Sequence, residues 1–140
     1  MMYIEWKDAY SIGVPRLDEQ HRQLIQMLDD LYQKIGPDTA PGNVWGLLDG
    51  FNRYAETHFI YEERIAGDAG VPQGELNLHK REHEAYRERM RTFQHAFSEN
   101  DKRAPVQLMA FLSNWWLSHI LVSDMELGRL VCQAQQDGNG

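Results

Sequence analysis

Apolar residues recur along most of this chain with the 3.6-residue rhythm of amphipathic helices. A first stretch, from about Asp18 to Ile35, aligns Leu24, Ile25, Leu28, Leu31, Tyr32 and Ile35. Asp18 is suited to cap its start, and Gly36-Pro37 to stop it. A second, from about Pro41 to Ile65, aligns Val44, Leu47, Leu48, Phe51, Tyr54, Ala55, His58, Glu62 and Ile65. Gly46 and Gly50 weaken its early part, and Gly67 and Gly70 close it. A third, from about Pro72 to Phe97, aligns Leu76, His79, His83, Tyr86, Met90, Phe93 and Phe97. A fourth, from about Ala104 to Cys132, aligns Leu108, Phe111, Leu112, Trp115, His119, Leu127 and Leu130, with Pro105 fitting its first turn. Helices joined by short connections predict an all-α fold, an antiparallel up-down-up-down four-helix bundle. Residues 1–17 lack the rhythm and are expected to form an extended N-terminal arm, with Trp6 and Val14 available to pack on the bundle. The bundle is expected over 18–132 and a flexible tail over 133–140, all within one domain, 1–140.

Composition narrows the function classes. The 140 residues carry 14 Lys and Arg against 21 Asp and Glu, a net charge of −7. Such an acidic chain is poorly suited to phosphate backbones, so no nucleic-acid partner is expected. Its one cysteine, Cys132, excludes an intrachain disulfide and a cysteine-built metal cluster. The start, Met1-Met2-Tyr3-Ile4-Glu5-Trp6-Lys7-Asp8, does not resemble a signal peptide, and no window approaches the ~20 apolar residues of a membrane span. A cytoplasmic location is expected.

The six histidines change the picture once they are placed on helices. His58 and Glu62 are four apart, as are His79 and His83, so each pair shares a helix face. Both pairs continue an apolar stripe. His21 lies one turn before Leu24 and Ile25, and His119 four after Trp115. His95, twelve after His83, is rotated about 120° away and falls outside. In an antiparallel bundle, His21 near a helix start, His58 and Glu62 near an end, His79 and His83 near a start and His119 towards an end all fall at the same level. One inward histidine is ordinary core. Five with a carboxylate would leave many buried polar atoms without partners unless a metal satisfied them together. Asp124 is five after His119, about 140° round an ideal helix. It joins the others if the helix widens there into a π-bulge, or if it reaches across from the flank. Glu63, beside Glu62, is expected to face solvent.

With these residues in place the chain resembles a bacterial single-domain hemerythrin. That family carries an inward His on helix one, H-x-x-x-E on helix two, H-x-x-x-H on helix three and H-x-x-x-x-D on helix four. These are matched by His21, by His58 through Glu62, by His79 through His83 and by His119 through Asp124. The segment Gly13-Val14-Pro15-Arg16-Leu17-Asp18-Glu19-Gln20-His21 and Trp115 extend the match over nearly the whole chain. The resemblance implies a non-haem centre of two Fe ions, with an oxo or hydroxo bridge, that binds O₂ reversibly. His79, His83 and His119 would hold one iron, His21 and His58 the other, and Glu62 and Asp124 would bridge them. Two six-coordinate irons offer about 12 positions, of which these ligands and the bridge fill about 11. The open one lies beside His21 and His58. Imidazole and carboxylate suit iron but also accept zinc or manganese.

The chain departs from the family pattern at several places. Trp116 stands where Leu is usual near the O₂ pocket, and either narrows that pocket or swings to the bundle surface. Ala66 replaces a usual Met, Val71-Pro72 a Tyr-Pro, and Tyr86 a Phe whose place gives it a hydroxyl in need of a partner. The expected function is oxygen storage, delivery or sensing, by a binding protein and not an enzyme. Ferritin-like oxidases use more carboxylates, whose extra anions better stabilise high-valent iron. The main competing function is a redox enzyme handling nitric oxide or peroxide, or iron–sulfur repair. Such relatives tend to carry an additional carboxylate, and Glu82 and Glu84 flank His83. A sensing role, or delivery to an O₂-consuming enzyme, would need a separate partner.

Overall fold

The computed structural model describes residues 4–36 and 38–139. Residues 1–3 of the expected arm, Pro37 of the expected stop and Gly140 of the expected tail lie outside the described residues. The chain forms a bundle of four helical rods. The first three are α1 (Pro15–Lys34), α2 (Pro41–Ala69) and α3 (Gln73–Ser98). The fourth rod is α4 (Ala104–Ser118), a π-helical segment (His119–Asp124) and α5 (Met125–Asn139). No strand is found among the described residues.

The apolar stripes meet in one large core. It joins Leu24, Ile25, Leu28 and Leu31 of α1 to Val44, Leu48, Phe51 and Phe59 of α2. Tyr86, Met90, Phe93 and Phe97 of α3 complete it with Leu108, Leu112 and Trp116 of α4. Each fully buried large side chain contributes roughly 1.5–3 kcal/mol, so this cluster dominates stability. A smaller cluster, Ala66, Val71, Leu76, Leu127 and Val131, closes the other end. Between the two, each rod contributes its polar residues. Leu47, placed on the stripe by periodicity, is instead 42% exposed.

Helix ends differ from the expected ones for identifiable reasons. α1 starts at Pro15, because proline is pre-set for a first turn, and Val14 rather than Asp18 occupies the cap position. Asp18 holds the arm instead, accepting hydrogen bonds from the Ser11 hydroxyl and the Ile12 N–H. α2 runs past Gly67 to Ala69. Gly70 then takes a left-handed φ of +84°, and the Val71 N–H reaches back to the Ala66 carbonyl at 3.1 Å. This tight reversal sets Glu62 opposite His79. The fourth rod continues beyond Cys132 to Asn139, so residues 133–139 are helical.

The arm is not wholly extended. Asp8–Tyr10 make a 3₁₀ turn, and Ile4 and Ile12 are buried. Trp6 is half-buried against the large core and Val14 packs on the small cluster. The Ile4 N–H donates to Asp29 of α1 at 3.0 Å. Ile12 crosses α5 at Gly128, where an added Cβ would lie 2.1 Å from the Ile12 carbonyl oxygen.

Gly50, also inside a helix, has nothing within 4 Å of a Cβ. Gly50→Ala is therefore expected to stabilise by about 1 kcal/mol through helix propensity alone. Gly128→Ala gains the same propensity, yet should destabilise by about 1–3 kcal/mol because the arm must move. Urea unfolding midpoints of both variants check the opposite signs.

Candidate metal centre

Glu62 and His58 sit one turn apart on α2, His79 and His83 one turn apart on α3, and His21 near the start of α1. His119 and Asp124 bracket the π segment. There the Met125 N–H reaches the Ile120 carbonyl, five residues back. This wider turn carries residue 124 round to the face of residue 119. Of the two arrangements open for Asp124, the widened helix is the one found. All seven residues are at most 4% exposed: His21, His58, Glu62, His79, His83, His119 and Asp124. His95 lies outside, with its side chain 76% exposed.

Every one of the five inward imidazoles turns its Nε2 to the centre. Asp124 Oδ1 lies 3.1 Å from His79 Nε2 and 3.0 Å from His119 Nε2, while Oδ2 lies 3.0 Å from His21 Nε2. Glu62 Oε1 contacts His79 and lies 3.2 Å from His83 Nε2. Its Oε2 lies 3.1 Å from His58 Nε2 and 3.5 Å from His21 Nε2. Each carboxylate thus divides its two oxygens between a three-histidine group and a two-histidine group. Two sets of donor atoms lie within 4.8 Å of one another: Glu62, His79, His83 and His119; and His21, His58, Glu62 and Asp124.

The donors suit a metal better than they suit each other. His21 Nδ1 and Nε2, His58 Nε2, Glu62 Oε2 and both Asp124 oxygens are buried without a hydrogen bond among the described residues. Several lie close together, but their geometry is not that of donor and acceptor. Ligands about 2.1 Å from a shared ion and at right angles to one another stand about 3 Å apart, which matches these separations.

Electrostatics point the same way. Burial pulls the His21 and His79 imidazoles down, but Asp124 and Glu62 more than reverse this and raise both to about 9. His119 is likewise raised against its burial, chiefly by Asp124. Burial would raise Glu62, yet the surrounding histidines hold it well below the usual carboxylate range. Asp124 is lowered too, with burial and Glu62 opposing the histidines that prevail. Protons therefore do, in the metal-free protein, part of what a cation would do.

The outer imidazole nitrogens have their own partners, and here the expectation for Glu63 fails. Glu63 turns inward to accept from His83 Nδ1 at 2.8 Å. Gln20 Oε1 accepts from His58 Nδ1 at 2.7 Å. Glu82 Oε1 accepts from the Ser123 hydroxyl at 2.6 Å and faces His119 Nδ1 at 3.4 Å. Each sits beside an inner residue on one helix and supports an inner histidine on the next. Gln20 precedes His21 and reaches α2. Glu63 follows Glu62 and reaches α3. Glu82 precedes His83 and reaches the fourth rod. A polar residue flanking each ligand position was the available signal.

Trp116 settles inward, 1% exposed, with its ring 6.2 Å from that of His58. Its Nε1–H donates to the Tyr86 hydroxyl at 3.3 Å, which provides the partner that Tyr86 needs.

The family model of the hemerythrin HHE cation binding domain matches residues 12–131. This chain belongs to the hemerythrin family. Among curated hemerythrin relatives, a protein of Stenotrophomonas maltophilia named Bacteriohemerythrin is 32% identical over 126 residues, 89% of this chain and 78% of that protein. A Bacteriohemerythrin of Clostridium acetobutylicum is 26% identical over 86% of this chain and 95% of its own length. One of Pseudomonas aeruginosa is 26% identical over 89% and 78%. The hemerythrin fold is a four-helix bundle, as found here. No helix among the described residues is long and apolar enough to cross a membrane.

The raised imidazoles give a pH test. A histidine raised from 6.5 to about 9 on folding contributes stability that is fully present below pH 6.5 and lost as pH rises through 9. The melting temperature of metal-free protein should fall over that window by roughly 5 °C or more. Metal added at pH 7 should release protons, measured as a buffer-dependent calorimetric heat.

Proposed function

We propose that this chain binds dioxygen reversibly at a pair of iron ions, for oxygen storage, delivery or sensing. The observation that carries this is the division of both buried carboxylates between a three-histidine and a two-histidine group. His79, His83 and His119 would hold one iron, and His21 and His58 the other, with Glu62 and Asp124 bridging. When bound, the iron pair supplies the two electrons that reversible capture of O₂ draws on.

The protein's own residues do the rest. The two-histidine group has one fewer side chain, so the open coordination position would lie beside His21 and His58. Trp116 borders that side. Because its only N–H is committed to Tyr86, the indole presents carbon to the site, narrows it and excludes water. Phe59 stacks on His83 with ring centres 4.0 Å apart, and on Trp116 at 5.3 Å. Keeping water out of this layer limits the delivery of protons to the centre.

A binding role is favoured over a redox enzyme by where the acidic groups stand. Among the described residues, Glu62 and Asp124 are the carboxylates in the two donor groups, while Glu63 and Glu82 lie behind imidazoles. With two ferrous ions and a hydroxide, five neutral imidazoles and two carboxylates would give a net charge of about +1, too poor in anions to favour high-valent iron. The reading implies a soluble cytoplasmic protein. Dioxygen is its partner, with a separate enzyme or signalling protein receiving the oxygen or the signal.

Iron-loaded, reduced protein should be nearly colourless and gain a visible charge-transfer band on exposure to air, a band that disappears when oxygen is removed. Direct conversion to an oxidised form with no reversible intermediate would favour the enzyme. His58→Ala should lower bound iron, measured by elemental analysis. Unchanged stoichiometry would contradict the assignment of this ligand.

A further inference from the structure

The outer partners of the inward histidines are not equivalent between the two halves of the centre. In the three-histidine half, His83 Nδ1 meets the Glu63 carboxylate at 2.8 Å, and His119 Nδ1 faces the Glu82 carboxylate at 3.4 Å. Glu82 is itself fixed by the Ser123 hydroxyl at 2.6 Å. In the two-histidine half, His58 Nδ1 meets the neutral amide of Gln20 at 2.7 Å, and His21 Nδ1 is buried without a partner. Among the described residues, one half is therefore backed by two anions and the other by none.

An imidazole whose outer N–H donates to a carboxylate is a more basic, stronger metal ligand than one donating to an amide. The carboxylate withdraws the proton partway, and the charge released appears on the opposite nitrogen, Nε2. Since all five Nε2 atoms face the centre, this acts directly on the metal.

We propose that Glu63 and Glu82 are positioning residues that make the three-histidine half the tighter metal site, and that the neutral Gln20 keeps the two-histidine half weak. Metal then loads in order. The first ion enters at His79, His83 and His119, and the second at His21 and His58. The weaker half is also the one that would keep an open coordination position. The inference rests on the two-metal reading above.

The test is a titration of the metal-free protein with cobalt(II) under argon, followed by calorimetry and by the visible d–d bands. The protein should take up two equivalents in a tight step and a weaker one. Glu63→Gln keeps a hydrogen-bond acceptor and the side-chain shape but removes the charge. It should weaken the tight step by roughly 10–100-fold and leave the weaker step in place. Glu63→Asp should recover part of the loss. Gln20→Glu should strengthen the weaker step and narrow the gap, a gain of function that a merely structural role would not produce. Two equivalents bound by the parent, with both steps unchanged in Glu63→Gln and Gln20→Glu, would overturn the inference alone. Uptake of a single equivalent by the parent would overturn the two-metal reading and the inference with it.

Discussion

Two carboxylates buried among five imidazoles set the terms for this fold. A charge taken into a protein interior without a partner costs several kcal/mol, and here both acidic groups are fully enclosed. The expense is tolerable only if all seven side chains arrive at one depth. That requirement explains features that otherwise look unrelated. The α2–α3 reversal is short because Glu62 and His79 must face each other. The apolar core is divided into a large cluster below and a small one above, because a polar layer has to pass between them.

The aromatic residues around the layer convert that depth into orientation. Trp115 lies flat on His119 with ring centres 4.4 Å apart and 13° between planes, and Phe59 lies flat on His83. A ring held on its face cannot turn about its last bond without losing contact, so these two imidazoles keep their Nε2 inward. Glu63 and Glu82 fix the same two rings from their edges, and Gln20 fixes that of His58. The site is thus held by stacking in one direction and by hydrogen bonds in another, which is how a centre of mobile side chains keeps one shape.

Much of this was legible in the sequence, for a physical reason. Helical period and antiparallel order together fix height and facing, so the gathering of His21, His58, Glu62, His79, His83 and His119 follows from counting. Asp124 did not follow, because counting assumes a uniform helix, and only the backbone shows that the fourth rod changes its winding at His119. Glu63 was misplaced because a residue next to an inward one points about 100° away, which is solvent on an isolated helix but a neighbouring histidine inside a bundle. Helix ends were shifted where a side chain had tertiary work: Asp18 was free to tether the arm because Pro15 needed no cap.

The π segment does more than aim Asp124. It adds one residue to the winding, so everything after it is out of phase with α4 by about 100°. Leu127 and Val131 belong to the small cluster only in that shifted phase, and so does Gly128, the point where the arm crosses. Removing the extra residue would restore an ordinary helix, yet swing all three away from their contacts. The irregular turn is therefore locked in from both sides. The metal layer needs it on one side, and the closing end of the bundle has been built to its offset on the other. A local distortion of this kind becomes permanent once two independent surfaces are keyed to it.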